Sequence, residues 1–134
     1  YFTASAEVGN SELWVYDDDT DSAQMVTDLY PGGSSSPWGL IVYGGMLFFG
    51  AEDGSGRTLW SYNGVDAPAK VAGASTVQTG YDDDGAVFDG SLYFSGYNTA
   101  SGFEPWRYDM LAAPSMLADI NSAGGSYPWQ FFVY

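Results

Sequence analysis

Four-stranded antiparallel sheets repeated in tandem are the all-β fold this sequence predicts, and three observations point to it. The first is a period. Trp14, Trp60 and Trp106 stand 46 residues apart, Tyr16, Tyr62 and Tyr108 follow them by two positions, and Asp17, Asn63 and Asp109 come next. Phe2, Phe48 and Phe94 precede each tryptophan by twelve residues. Self-similarity at a fixed spacing marks a repeat architecture. The second is composition: aromatic residues make up 18%, and 18 Gly and 6 Pro fall mostly between short apolar runs, which suits short strands and tight turns. The third is the lack of a long amphipathic helical pattern, since the nearest candidate, 110–120, carries Pro114 inside it.

Element by element, the middle unit reads as strands over 39–43, 47–51, 58–62 and 69–72. Gly44-Gly45 joins the first two and Asn63-Gly64 the last two, dipeptides that accept the positive φ of a two-residue hairpin. The loop Asp53-Gly54-Ser55-Gly56 separates the second strand from the third. In the next unit Asp89-Gly90 turns between 86–88 and 92–94. The long connection Asp28-Leu29-Tyr30-Pro31-Gly32-Gly33-Ser34-Ser35-Ser36-Pro37-Trp38 aligns without gaps to Asp119-Ile120-Asn121-Ser122-Ala123-Gly124-Gly125-Ser126-Tyr127-Pro128-Trp129, 91 residues later. The middle copy departs here, with Asp82-Asp83-Asp84-Gly85 standing roughly where the others have Pro-Trp.

Four strands in each unit of about 46 residues, with Trp and Gly marks, is the pattern of β-propeller blades, in which neighbouring sheets cover each other's faces. By the period the chain is one repeat domain, 1–134, with units 1–46, 47–92 and 93–134 permuted at both ends. Glu12-Leu13-Trp14 followed by an Asp turn, then Val26-Thr27-Asp28-Leu29-Tyr30-Pro31-Gly32-Gly33, resembles the "ELWxxDGT" repeats of large secreted, mainly bacterial proteins predicted to form propellers. The resemblance covers the whole chain in three copies. The Asp-Gly-Thr part is replaced by Asp17-Asp18-Asp19, Asn63-Gly64-Val65 and Asp109-Met110-Leu111, and Glu-Leu-Trp by Thr58-Leu59-Trp60 and Glu104-Pro105-Trp106. It implies a repeat scaffold, with no catalytic residue to carry over.

Tyr1-Phe2 aligns with Tyr93-Phe94, a second strand, and 132–134 aligns with 41–43, a first strand. Unpaired strand edges invite pairing. The expected partners are therefore further repeats of a longer chain, copies of this chain that close a ring, or copies joined head to tail as a polymer.

Seventeen Asp and Glu against Lys70, Arg57 and Arg107 leave a net charge of −14, which repels phosphate backbones and anionic lipid. Nucleic acid is not an expected partner, and no apolar run is long enough to predict a membrane span. With no Cys there is no disulfide or thiol chemistry, and with no His there is no imidazole base or ligand. Asn10, Asn63, Asn98 and Asn121 all lack a hydroxyl residue two places on, so N-glycans are not expected.

Three sets of side chains are candidate sites. Asp17, Asp19 and Asp21 alternate in a loop, a spacing of hard oxygen ligands that suits Ca²⁺, and Asp82 and Asp84 form a second acidic group; the competing reading of both is a solvated turn. Trp38, Tyr127 and Trp129 follow Gly-Ser loops and could stack on sugar rings, whereas Trp14, Trp60 and Trp106, recurring in every unit, read as packing residues. Glu7, Glu12, Glu52 and Glu104 show no pairing of the kind glycoside hydrolysis needs; Glu12 and Glu104 share one column with Thr58, which reads as a structural position. The expectation is an extracellular structural or interaction module without enzymatic activity and with no cofactor, a carbohydrate-binding lectin being the alternative function and Ca²⁺ the alternative to no cofactor.

Overall fold

The computed structural model describes residues 1–74, 78–79 and 85–134. Three antiparallel sheets are built from them. The first contains β1 (Phe2–Glu7), β2 (Asn10–Asp17) and β3 (Ser22–Thr27) in that order. The second runs β4 (Trp38–Tyr43), β5 (Met46–Glu52), β6 (Arg57–Tyr62), β7 (Ala69–Lys70). In the third, β10 (Ser91–Asn98) pairs with β11 (Gly102–Tyr108), which pairs with β12 (Ser115–Met116). The other edge of β10 is shared by β8 (Gln78–Thr79) and β9 (Ala86–Phe88). The all-β class and the antiparallel repeats are as the sequence predicts. The strand number varies, however: the first sheet has three strands, because nothing among the described residues takes the place that β4 has beside β5.

The turns follow from glycine chemistry with one exception. Gly44 and Gly45 both take positive φ, 57° and 78°, and Asp89 and Gly90 take 44° and 66°. These are the paired left-handed conformations that match the twist of a tight hairpin. Asn63-Gly64 is different. The Asn63 side-chain oxygen accepts from the backbone N–H of Val65 and Asp66, both at 2.9 Å, and opens a longer loop. Asp109 does the same for Leu111 and Ala112, and Asp17 for Asp19. The Asp/Asn column after the Trp-x-Tyr triplet is thus an Asx cap on the strand end and not half of a two-residue turn.

Register corrects a second expectation. Phe2 lies opposite Trp14 and Phe94 opposite Trp106, but the residue opposite Trp60 is Phe49. Phe48 points to the other face. Because side chains alternate along a strand, β5 places Leu47, Phe49 and Ala51 on one side and Phe48 on the other. The first side joins Leu13 and Trp60 in a buried cluster with Val26 and Leu29 of the first sheet against it. The second joins Tyr43, Leu59 and Val71 to Leu92, Phe94 and Trp106 of the third sheet. The middle sheet is therefore covered on both faces, and the two interfaces are alike. Tyr1 meets Tyr62 edge-on at 5.6 Å across the first, and Phe48 meets Tyr108 at 5.8 Å across the second. Tyr1 and Phe48 each stand one residue before the phenylalanine that opposes a tryptophan, so this is one contact made twice. Trp60 and Trp106 are buried. The indole N–H of Trp14 donates to the Ala4 carbonyl and that of Trp60 to Ala51, so each ring also ties two strands of its own sheet. No helix among the described residues is long and apolar enough to cross a membrane.

Candidate interaction surfaces and the loop seats

Glu12 and Glu104 are fully buried, which for a carboxylate demands compensation. Both receive it from the long loop that follows their sheet. Glu12 accepts from the backbone N–H of Ser35 at 2.9 Å and of Leu29 at 3.4 Å, and from the Ser35 hydroxyl. Glu104 accepts from the N–H of Ser126 and Ile120, both at 3.0 Å, from Asn121 at 3.5 Å and from the Ser126 hydroxyl at 2.6 Å. Each carboxylate is a seat that folds the loop back onto the sheet. Thr58, in the same column, donates to the Ala74 carbonyl at 2.7 Å instead. The seat at Glu104 also requires close backbone approach: a Cβ on Gly102, at φ +73°, would meet the Gly125 N at 2.6 Å.

Burial raises the Glu104 carboxyl pKa, but the Ser126 hydroxyl and the three loop N–H groups outweigh it and hold the group below its ordinary 4.5. A pKa lowered by folding gives stability that is present above the unfolded value and lost as pH falls through and below it. On acidification from pH 5, the wild type is expected to lose thermal stability more steeply than Glu104→Gln, whose loop seat no longer titrates. Melting curves at stepped pH check this, and parallel curves would show that the carboxylate carries no such linkage.

The carbohydrate candidates sit in three settings. Trp38 starts β4 and lies under the Arg57 guanidinium, 4.4 Å from ring centroid to Cζ. It lines an open cleft of about 270 Å³ with Thr3, Ser11, Ser36, Pro37 and Arg57, where the first and second sheets meet. Tyr127 packs on Phe103 at 5.6 Å, and Phe103 on Tyr97 at 5.1 Å, forming an aromatic row beside the Glu104 seat. Trp129 is 70% exposed. Arg57 is the residue sequence reasoning missed; its place opposite Glu52 in the β5–β6 ladder, three positions before Trp60, was the available signal.

The acidic candidates are engaged locally. Asp17 caps the Asp19 N–H at 3.0 Å, and Asp21, at φ 50°, accepts from the Tyr16 hydroxyl at 2.6 Å. Among the described residues no three carboxylates converge as a metal group. Asp82 and Asp84 lie outside the described residues.

Two large apolar surfaces remain at opposite ends of the stack. On the first sheet Phe2, Tyr16 and Met25 are exposed. On the third, Phe88, Leu117 and Ile120 are exposed, and an apolar cleft of about 480 Å³ opens between Ala86, Phe88 and Tyr93 on one side and 131–134 on the other. Compared with protein-family models, curated proteins and solved structures, the chain matches none.

Proposed function

We propose that this chain is a structural and interaction module of the cell exterior, a run of propeller-like blades similar to the ELWxxDGT repeats, whose work is to stack and to hold partners. The single observation that carries this reading is the interface made twice over: the same edge-on aromatic contact and the same covered faces join the first sheet to the second and the second to the third. Such an interface is a rule for adding sheets. The repeat carboxylates support the same reading, because Glu12 and Glu104 spend their acceptor capacity on loop N–H groups. The test is a panel of glycoside, ester and phosphate-ester substrates. No turnover is expected; turnover abolished by Glu12→Gln or Glu104→Gln in a folded protein would overturn the proposal.

A second reading, sugar binding, is favoured by the cleft beside Trp38. An indole face, a guanidinium and the hydroxyls of Thr3, Ser11 and Ser36 converge there, the mixture of stacking surface and hydrogen-bonding groups that pyranose rings use. A glycan array decides it. Binding lost in Trp38→Ala and retained in Trp129→Ala, with melting temperatures unchanged, would establish a sugar site in this cleft; silence across the array would set it aside.

A further inference from the structure

Asn63 and Gly64 form the only Asn-Gly pair in the sequence. Both residues are exposed, and Gly64 holds φ 86°. The Asn63 side chain folds forward over the Gly64 peptide: its Oδ1 accepts from the N–H groups of Val65 and Asp66, both at 2.9 Å, and its Nδ2 donates to the Asp66 carboxylate at 2.8 Å. All three bonds bear on the reactivity of the amide. Two N–H groups aimed at one carbonyl oxygen stabilise the oxyanion that forms when a nucleophile adds to the carbon. A carboxylate against the amide nitrogen favours positive charge there, which that nitrogen must acquire before it can leave. The next nitrogen along the backbone belongs to Gly64, and Gly64 has no Cβ to shield it.

We propose that Asn63 converts spontaneously, in the folded chain, to aspartate and isoaspartate through a cyclic imide with Gly64, and that the turn itself promotes the reaction. The Gly64 nitrogen forms a bond to Asn63 Cγ and gives its proton to solvent. The Cγ–Nδ2 bond then breaks, and the departing nitrogen takes up a proton and leaves as ammonia. Water adds to either carbonyl of the imide and reopens it, so each conversion consumes one water and releases one ammonia. Asp66, whose carboxylate touches the leaving nitrogen and whose N–H touches the oxyanion, is the catalytic residue.

Neighbouring sites show why the reaction belongs to this turn. Asn98 has the same forward fold, its Oδ1 accepting from the N–H of Ala100 at 2.8 Å and of Ser101 at 2.9 Å, but the β-branched Thr99 follows it and crowds the nucleophile. Asn121 precedes Ser122, and its Nδ2 donates to the Gly125 carbonyl, which carries no charge. Asp53 precedes Gly54 and accepts from the Ser55 N–H at 3.0 Å, yet the Lys70 ammonium and the Ser55 hydroxyl hold its carboxyl down at about 2, and an ionised carboxylate resists a nucleophile. The aspartyl product matches the column to which Asn63 belongs: Asp17 and Asp109 cap the following N–H groups through the same oxygen. The isoaspartyl product adds a methylene to the backbone and so loses the cap.

The test incubates the folded chain in warm neutral buffer and maps its Asn-containing peptides over time, by mass and by enzymatic methylation of isoaspartyl carboxyls. Asn63 is expected to convert first, on the order of tenfold faster than Asn98, whose turn is the same but whose nucleophile is crowded. The folded chain is expected to convert at least as fast as the chain unfolded in urea, where the oxyanion donors and the carboxylate are dispersed. Asp66→Ala keeps the backbone N–H and is expected to slow Asn63 several-fold, with circular dichroism confirming the fold. Conversion that proceeds only in urea overturns the proposal. So does equal conversion at Asn63 and Asn98, or a folded Asp66→Ala chain that converts at the wild-type rate.

Discussion

Phe48→Ala and Phe49→Ala are each expected to cost about 3–5 kcal/mol, yet to loosen opposite sides of the molecule. The two rings are adjacent in sequence and almost completely buried, and they project from β5 to different faces. Phe49 packs with Leu13, Leu47 and Trp60 against the first sheet; Phe48 packs with Leu59, Leu92 and Phe94 against the third. Truncation removes the transfer free energy of the ring and leaves a cavity that a sheet held on both faces cannot collapse to fill. Domains of this size hold roughly 5–15 kcal/mol in all, so either variant sits close to the unfolding threshold. Denaturant titration reads the magnitude. Hydrogen exchange reads the sidedness: Phe49→Ala is expected to deprotect β1 and β2 first, and Phe48→Ala β10 and β11. Uniform deprotection in both variants would show that the three sheets unfold as one unit.

The second large effect is expected at Glu12. Replacing it with Ala removes the acceptor for the buried Ser35 N–H and hydroxyl and for Leu29 N–H. A buried donor left without a partner costs about 1–3 kcal/mol, so a total near 3 kcal/mol is expected. In a domain of this length that lowers the thermal midpoint by roughly 10 °C. Glu12→Gln retains one side-chain oxygen as acceptor and is expected to lose about half as much. Glu7→Ala, on the exposed edge of β1, is the control and is expected to change stability by less than about 0.5 kcal/mol. If Glu12→Ala matched that control, the carboxylate would not be what seats the loop.

Much of this architecture is legible in the sequence because its strands are local. The Trp-x-Tyr period places β2, β6 and β11, and Gly44-Gly45 and Asp89-Gly90 place two hairpins, since each of these signals depends only on near neighbours. The middle register is not legible for a specific reason. Ten residues separate Phe49 from Trp60, but eleven separate Phe2 from Trp14 and Phe94 from Trp106. A single residue lost from a hairpin moves the pairing by one, and the adjacent Phe48 hides the loss by keeping a phenylalanine at the old spacing. The loop seats are half legible: the Glu12/Glu104 column is visible, but its partners are backbone N–H groups that reach the carboxylate only after the loop has folded back. Trp38 and Trp129 show a further limit. Their sequence contexts are nearly the same, yet Trp38 is half-buried beside Arg57 and Trp129 is exposed, because β5 lies alongside Trp38 and no described strand lies alongside Trp129.

The loop that Glu12 or Glu104 holds also has a bearing on how such a chain can change in length. The Glu12 seat holds the loop that runs from the end of the first sheet to β4, the first strand of the second, so a unit cut within that loop carries a whole sheet. Unequal recombination between two copies of the repeat would therefore insert or delete a whole sheet without creating a new kind of junction, because both junctions would be ones the molecule already makes. Among the described residues each strand belongs to a single sheet, so the seated loop is the place where the period of the sequence and the period of the fold coincide.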